Sequence, residues 1–132
     1  MARISRNGGG VVSDTEMRIA IAEARGARDI WIATGEEEWL GTFRHEYKGV
    51  LMAFFPGEKH CRRVPDHLND LNAMHEAEKT LGGDNLAFYN TQLYEVSHNA
   101  PTIPYEIHGF IWHSTARQRA EAFLRTIGKW NP

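Results

Sequence analysis

Apolar positions return every three to four residues in four stretches of this chain. The first opens at Ser13-Asp14-Thr15-Glu16, a Ser-x-x-Glu capping box in which Ser13 and Glu16 satisfy each other's amides. Met17, Ala20, Ile21 and Ala24 follow as one stripe, and Gly26 supplies a residue able to turn left-handed and end the run. The spacing predicts a helix over residues 14–25. A second stripe, Leu68, Leu71, Met74, Ala77 and Leu81, follows Val64-Pro65-Asp66 with Asp66 as its N-cap, and Gly82-Gly83 stops it. A third starts at Asp84, carries Leu86, Tyr89, Leu93 and Val96, and runs to about residue 98. The last has the capping pair Thr115 and Gln118, then Ala116, Ala120, Phe123, Leu124 and Ile127, and stops at Gly128.

Between these helices the pattern shortens. Residues 29–34 (DIWIAT) alternate in part and are rich in β-branched and aromatic types, which predicts a strand. Residues 39–47 read as a weaker strand, reached through the acidic turn Gly35-Glu36-Glu37-Glu38. Residues 50–55 (VLMAFF) form an unbroken apolar run, expected to be buried on both faces of a sheet and ended by Pro56-Gly57. Pro101 and Pro104 then break the chain before a last strand over 105–112, which Gly109 weakens. The expected fold is α/β (α+β): a layered sandwich of about four mostly antiparallel strands and about four helices, in the order αβββααβα. Leu68, Leu71, Met74, Leu81, Phe123, Leu124 and Ile127 are expected to face inward.

Composition narrows this picture only slightly. A chain of 132 residues with 42% hydrophobic and 24% charged residues suits one globular domain. Residues 1–12, with three consecutive glycines and no apolar core, read as a flexible tail rather than a signal peptide. Residues 13–132 form the domain. No apolar run approaches bilayer length, so no membrane role is expected. A single cysteine, Cys61, precludes an intrachain disulfide and suits a reducing compartment. A cytoplasmic location is the resulting expectation. The net charge of −2 argues against a general nucleic-acid binder.

Seven histidines raise metal binding, yet no His-Glu-x-x-His or Cys-x-x-Cys occurs. His75 and Glu78 share a helical face, His60 and Cys61 are adjacent, and His108 and His113 are five apart, spacings that do not gather three ligands. No metal and no cofactor are expected. Cys61 sits among Lys59, His60, Arg62 and Arg63, a setting able to lower a thiol pKa. No partner base or oxyanion hole can be named for it, nor does a nucleophile elbow or phosphate loop occur. Binding is favoured over catalysis, and no catalytic residue is assigned. Trp31 reads as core and Trp130 as a cover for the last helix. Trp39 and Trp112 either line a pocket or cover the core rim. The basic stretch from Lys59 to Arg63 either balances the acidic turn or holds a ligand, because arginine forks match phosphate and aromatic faces stack bases. The candidate ligand site is therefore Trp39, His60, Arg62, Arg63, Trp112 and His113, with a nucleotide-type ligand.

Residues 65–81 (PDHLNDLNAMHEAEKTL) and 114–130 (STARQRAEAFLRTIGKW) resemble the phage α-β-α sandwich domain, a family of small phage and prophage proteins. The resemblance implies a layered α/β fold and a phage origin, and supplies no catalytic residues. It implies an accessory binding protein of the counter-defence kind, either sequestering a nucleotide-type signal or blocking a host defence protein. The alternatives are a small hydrolase of a phosphate-bearing substrate and a nucleic-acid-binding accessory factor. A homodimer through Trp112 and Trp130 is a further expectation.

Overall fold

In a computed structural model the described residues are 13–98 and 114–130. The tail, the strand expected over 105–112, and Trp112 and His113 lie outside them. Helix α1 (Asp14–Ala24) starts where expected, with the Ser13 hydroxyl accepting from the Glu16 amide at 3.1 Å. It ends at Arg25 and Gly26, the latter at φ 89°. A Cβ on Gly26 would stand 2.6 Å from Pro56 Cγ. The helix end and the turn after the buried strand therefore pack too closely for any larger residue.

Three strands, β1 (Arg28–Ile32), β2 (Leu51–Phe54) and β3 (Arg62–Arg63), form an antiparallel sheet in that order. Strand β2 is covered on both sides, as its unbroken apolar run requires. Leu51, Ala53 and Phe55 pack with Ile30, Val64 and the α1 residues Ile19 and Ala22. Met52 packs on the opposite face with Trp31 and Ala33. Register makes the alternation strict: Trp31 lies opposite Met52 and Ile32 opposite Leu51. An extra residue between Arg28 and Trp31 bulges β1, with Asp29 at φ 53°. The bulge sets Arg28 opposite Phe54, so that the guanidinium joins the Trp31 face and lies 5.5 Å from the Phe54 ring centre.

The expected strand over 39–47 is instead a run of 3-10 turns, Glu38–Tyr47. Gly41, at φ 80°, separates its turns. Leu40 and Tyr47 cover the Trp31 face of the sheet from it, and main-chain bonds between Ala33 and both Val50 and Gly49 close the excursion. The third strand of the sheet comes from the basic stretch, for which no strand is expected from the sequence. Among the described residues the sheet thus has three antiparallel strands flanked by helices, and the strand expected over 105–112 lies outside them.

Helix α2 (Leu71–Glu78) starts one turn later than its stripe predicts. Asp70, rather than Asp66, is the N-cap, its carboxylate accepting from the Asn72 and Ala73 amides. Asp66 instead closes a turn, its carbonyl accepting from the Asn69 and Asp70 amides. That turn buries Leu68, 3% exposed, and leaves Leu71 at the helix start 38% exposed, so Leu71 is not a core residue. Helices α3 (Asp84–His98) and α4 (Ala116–Thr126) pack along each other, and α4 also meets α1 and α2. The full capping box of Thr115 and Gln118 is present.

The layers follow from α1. Its Met17, Ala20 and Ile21 join the helical core of Leu68, Met74, Leu93, Phe123 and Leu124, while Ile19 and Ala22 face the sheet. Trp130 and Ile127 are partly buried against the helical core. A polar tie crosses the bundle: the Glu78 carboxylate accepts from Arg119 at 2.9 Å and from the Tyr89 hydroxyl, linking α2, α4 and α3. Burial beside that carboxylate drives the Tyr89 pKa well above the ordinary phenol range, so the hydroxyl remains a donor.

Candidate functional site

Strand β3 decides where the candidate residues go, because neighbouring residues in a strand point to opposite faces. Arg62 lies opposite Ala53 and Arg63 opposite Met52. The Arg62 guanidinium stacks 3.9 Å from the centre of the Phe55 ring, on the α1 side. The Arg63 guanidinium lies 4.9 Å from the Tyr47 ring centre, on the side covered by the 3-10 turns. The two arginines therefore do not converge on one ligand site.

Trp39 and His60 do come together. With Leu40, Phe54, Lys59 and Cys61 they line a hollow of 340 Å³ on the outer face of the sheet. Trp39 is held by the 3-10 turns with its ring 5.6 Å from Trp31, tilted by 56°, yet remains 52% exposed. Trp31 in turn lies 5.9 Å from Phe54. The hollow thus has a fixed aromatic wall and Lys59 and His60 in its lining, while Arg28 and Arg63 add charge to the same face of the sheet. The segment carrying Trp39 is anchored by Glu37, whose carboxylate accepts from the Thr34 amide at 2.8 Å and from its hydroxyl. The Thr34 hydrogen bonds hold that carboxyl below its usual range. One residue of the acidic turn is therefore a structural clamp.

Cys61 lies in this hollow, but burial pushes its thiol pKa up. The basic neighbours do not lower it, so the thiol stays protonated near neutral pH and is a poor nucleophile. Among the described residues no three His, Cys, Asp or Glu side chains are placed to hold a metal ion. None of the described helices is long and apolar enough to cross a membrane.

Sequence reasoning missed Arg25 and His67, which sit on the other side of the sheet. His67 is fully buried. Its Nε2 lies 3.1 Å from Arg25 Nη1, and because a guanidinium only donates, Nε2 must accept and the proton resides on Nδ1. Burial, then the charges of Arg25 and Arg18, push the His67 pKa down to about 4. The one available signal was the position of His67 beside an inward-facing Leu68, which is also how an ordinary core histidine looks.

The chain defines a mixed α/β class: a small antiparallel sheet whose inner face rests on a central helix, with an aromatic and cationic hollow on its outer face. Comparison with protein-family models, curated proteins and solved structures finds no match.

Proposed function

We propose that this is a binding protein for a nucleotide-type ligand, seated in the Trp39 hollow. One observation carries the reading: a half-exposed indole, fixed from behind by Trp31, shares a hollow with Lys59 and His60. A nucleotide needs a flat face for its base and cations for its phosphate, and these residues offer both. The volume of 340 Å³ falls at the small end of ordinary ligand sites, about 300–1,000 Å³. The raised Cys61 thiol pKa favours capture over turnover by that thiol. The resemblance of residues 65–81 and 114–130 to phage proteins supports an accessory role in counter-defence, with the ligand a signal to be sequestered.

Calorimetry against a panel of linear and cyclic nucleotides tests this. One or more should bind and be recovered intact, and Trp39→Ala should weaken binding by about 1–3 kcal/mol, the contribution of one stacked base. Absence of binding across the panel, or an unaffected Trp39→Ala variant, rejects the reading. A second reading then leads, because Trp39 and Phe43 are 52% and 64% exposed. Two such aromatics on one segment suit docking onto a host protein and blocking it.

A further inference from the structure

On the α1 side of the sheet, an open groove of 710 Å³ runs between β3 and the start of α2. Arg25, Arg62, His75 and Lys79 line it, with the carboxylates of Asp70 and Glu76 also present. Its unusual feature is the pair Arg25 and Arg62. Both guanidiniums lie over the single Phe55 ring, at 5.1 Å and 3.9 Å from its centre. Arg62 is balanced by Glu58, which accepts from its Nε at 2.9 Å. Arg25 forms no ion pair with any described carboxylate, and its polar partner is the neutral His67 imidazole. The two guanidiniums thus share one ring and one open groove, with Glu58 as the paired carboxylate. Burial, then the Arg62 charge, lower the Arg25 pKa against smaller opposing effects of Glu76 and Glu58.

An anion resting on both guanidiniums meets two forks that share one close carboxylate, Glu58. The other groove charges are already matched. Lys79 donates to Glu76 at 2.8 Å, and Asp70 is spent on the α2 amides. The start of α2 therefore offers no unused amide pair, and the attraction rests on side chains. We propose that this groove binds a phosphate-monoester dianion, clamped between the Arg25 and Arg62 guanidiniums on the Phe55 ring. Two planar forks suit the three terminal oxygens of a phosphate monoester, with His75 also in the groove lining. His67 is a positioning residue, since its Nε2 orients Arg25. Glu58 is a place-holder that the ligand displaces from Arg62. The site lies on the opposite side of the sheet from the Trp39 hollow and does not depend on the nucleotide reading.

The test uses the full chain at constant ionic strength, with ribose 5-phosphate and inorganic phosphate as probes, followed by calorimetry and phosphorus NMR. Ribose 5-phosphate has no base to stack, and the Arg62 and Glu58 variants assign its binding to the groove. Both probes should bind, and Arg62→Gln should weaken them by about tenfold, the loss of a charged hydrogen bond. Glu58→Gln should strengthen both by removing the competing carboxylate. Arg25→Lys should weaken them while keeping the charge, and should it unfold, the two exposed variants still decide. Trp39→Ala should leave both affinities unchanged. No binding with a Kd of about 1 mM or tighter overturns the proposal. So does an Arg62→Gln variant that binds normally, a Glu58→Gln variant that binds more weakly, or a Trp39→Ala variant that has lost the probes.

Discussion

Leu68 and Leu71 lie three residues apart on what the apolar stripe presents as one helix face, yet the structure puts them in opposite environments. Leu68 is 3% exposed in the helical core and Leu71 is 38% exposed at the first position of α2. Replacing Leu68 by alanine removes methyl groups from a packed interior and leaves a cavity, a loss of about 2–5 kcal/mol. The same change at Leu71 removes atoms already facing water, and alanine is at least as good a helix former. The expected loss is about 0.5 kcal/mol or less. In urea, with a slope of about 1–3 kcal/mol/M, the Leu68→Ala midpoint should fall by roughly 1–2 M while that of Leu71→Ala barely moves. The slopes themselves should stay equal, so that midpoints report stability. Equal losses at the two positions, or the larger loss at Leu71, would mean that the helix starts a turn earlier with Asp66 as its cap, and the assignment to Asp70 would fail.

Other consequences are as direct. The folded-state pKa of His67 lies near 4 against 6.5 for the free side chain, so the unfolded chain takes up its proton first on acidification. Its contribution is therefore complete above pH 6.5 and is lost as pH falls towards 4, by about 3 kcal/mol in all. Urea melts between neutral and acid pH should show that slope, and His67→Gln should flatten it; an unchanged slope would place the titration elsewhere. Gly26→Ala forces a side chain into the left-handed region against Pro56 and should cost more than about 1 kcal/mol. A thermal melt showing no loss would contradict that contact. Thr115→Ala removes the α4 cap and should cost about 1 kcal/mol, with Thr115→Ser restoring most of it in the same melt.

The parts legible in the sequence are those set by neighbours in the chain. Ser13 and Thr115 cap helices α1 and α4 because each needs only the amide three residues on. The burial of β2 on both faces also follows from an unbroken apolar run with no polar residue to expose. Residues 39–47 resemble a strand because three aromatic residues and a threonine occur among them. The better signal was spacing: Leu40 and Tyr47 reach the same sheet face only if the chain coils between them. Asp66 and Asp70 are equally good caps by type, and the choice fell to a tertiary fact, the burial of Leu68. Strand β3 has two residues, too few for any periodicity, so Arg62 and Arg63 read as one basic patch when pairing with β2 places them on opposite faces.

The division of cations between the two faces rests on two irregularities of a very small sheet. With regular pairing, Arg28 would share the face of Ile30 and crowd the side where Arg25 and Arg62 already meet. The bulge at Asp29 moves it across to Phe54, on the face that holds the Trp39 hollow. Strand β3 then sends Arg63 to that outer face and Arg62 to the inner one. Each face thus pairs cations with aromatic rings: Arg28 and Arg63 with Phe54 and Tyr47 outside, Arg25 and Arg62 with Phe55 inside. Neither arrangement needs a long loop to close around a ligand. The rings are fixed by β2 and by the chain that flanks it, and β2 is buried on both sides, so the cations that rest on them are held in place before any anion arrives, which lowers the ordering cost of binding.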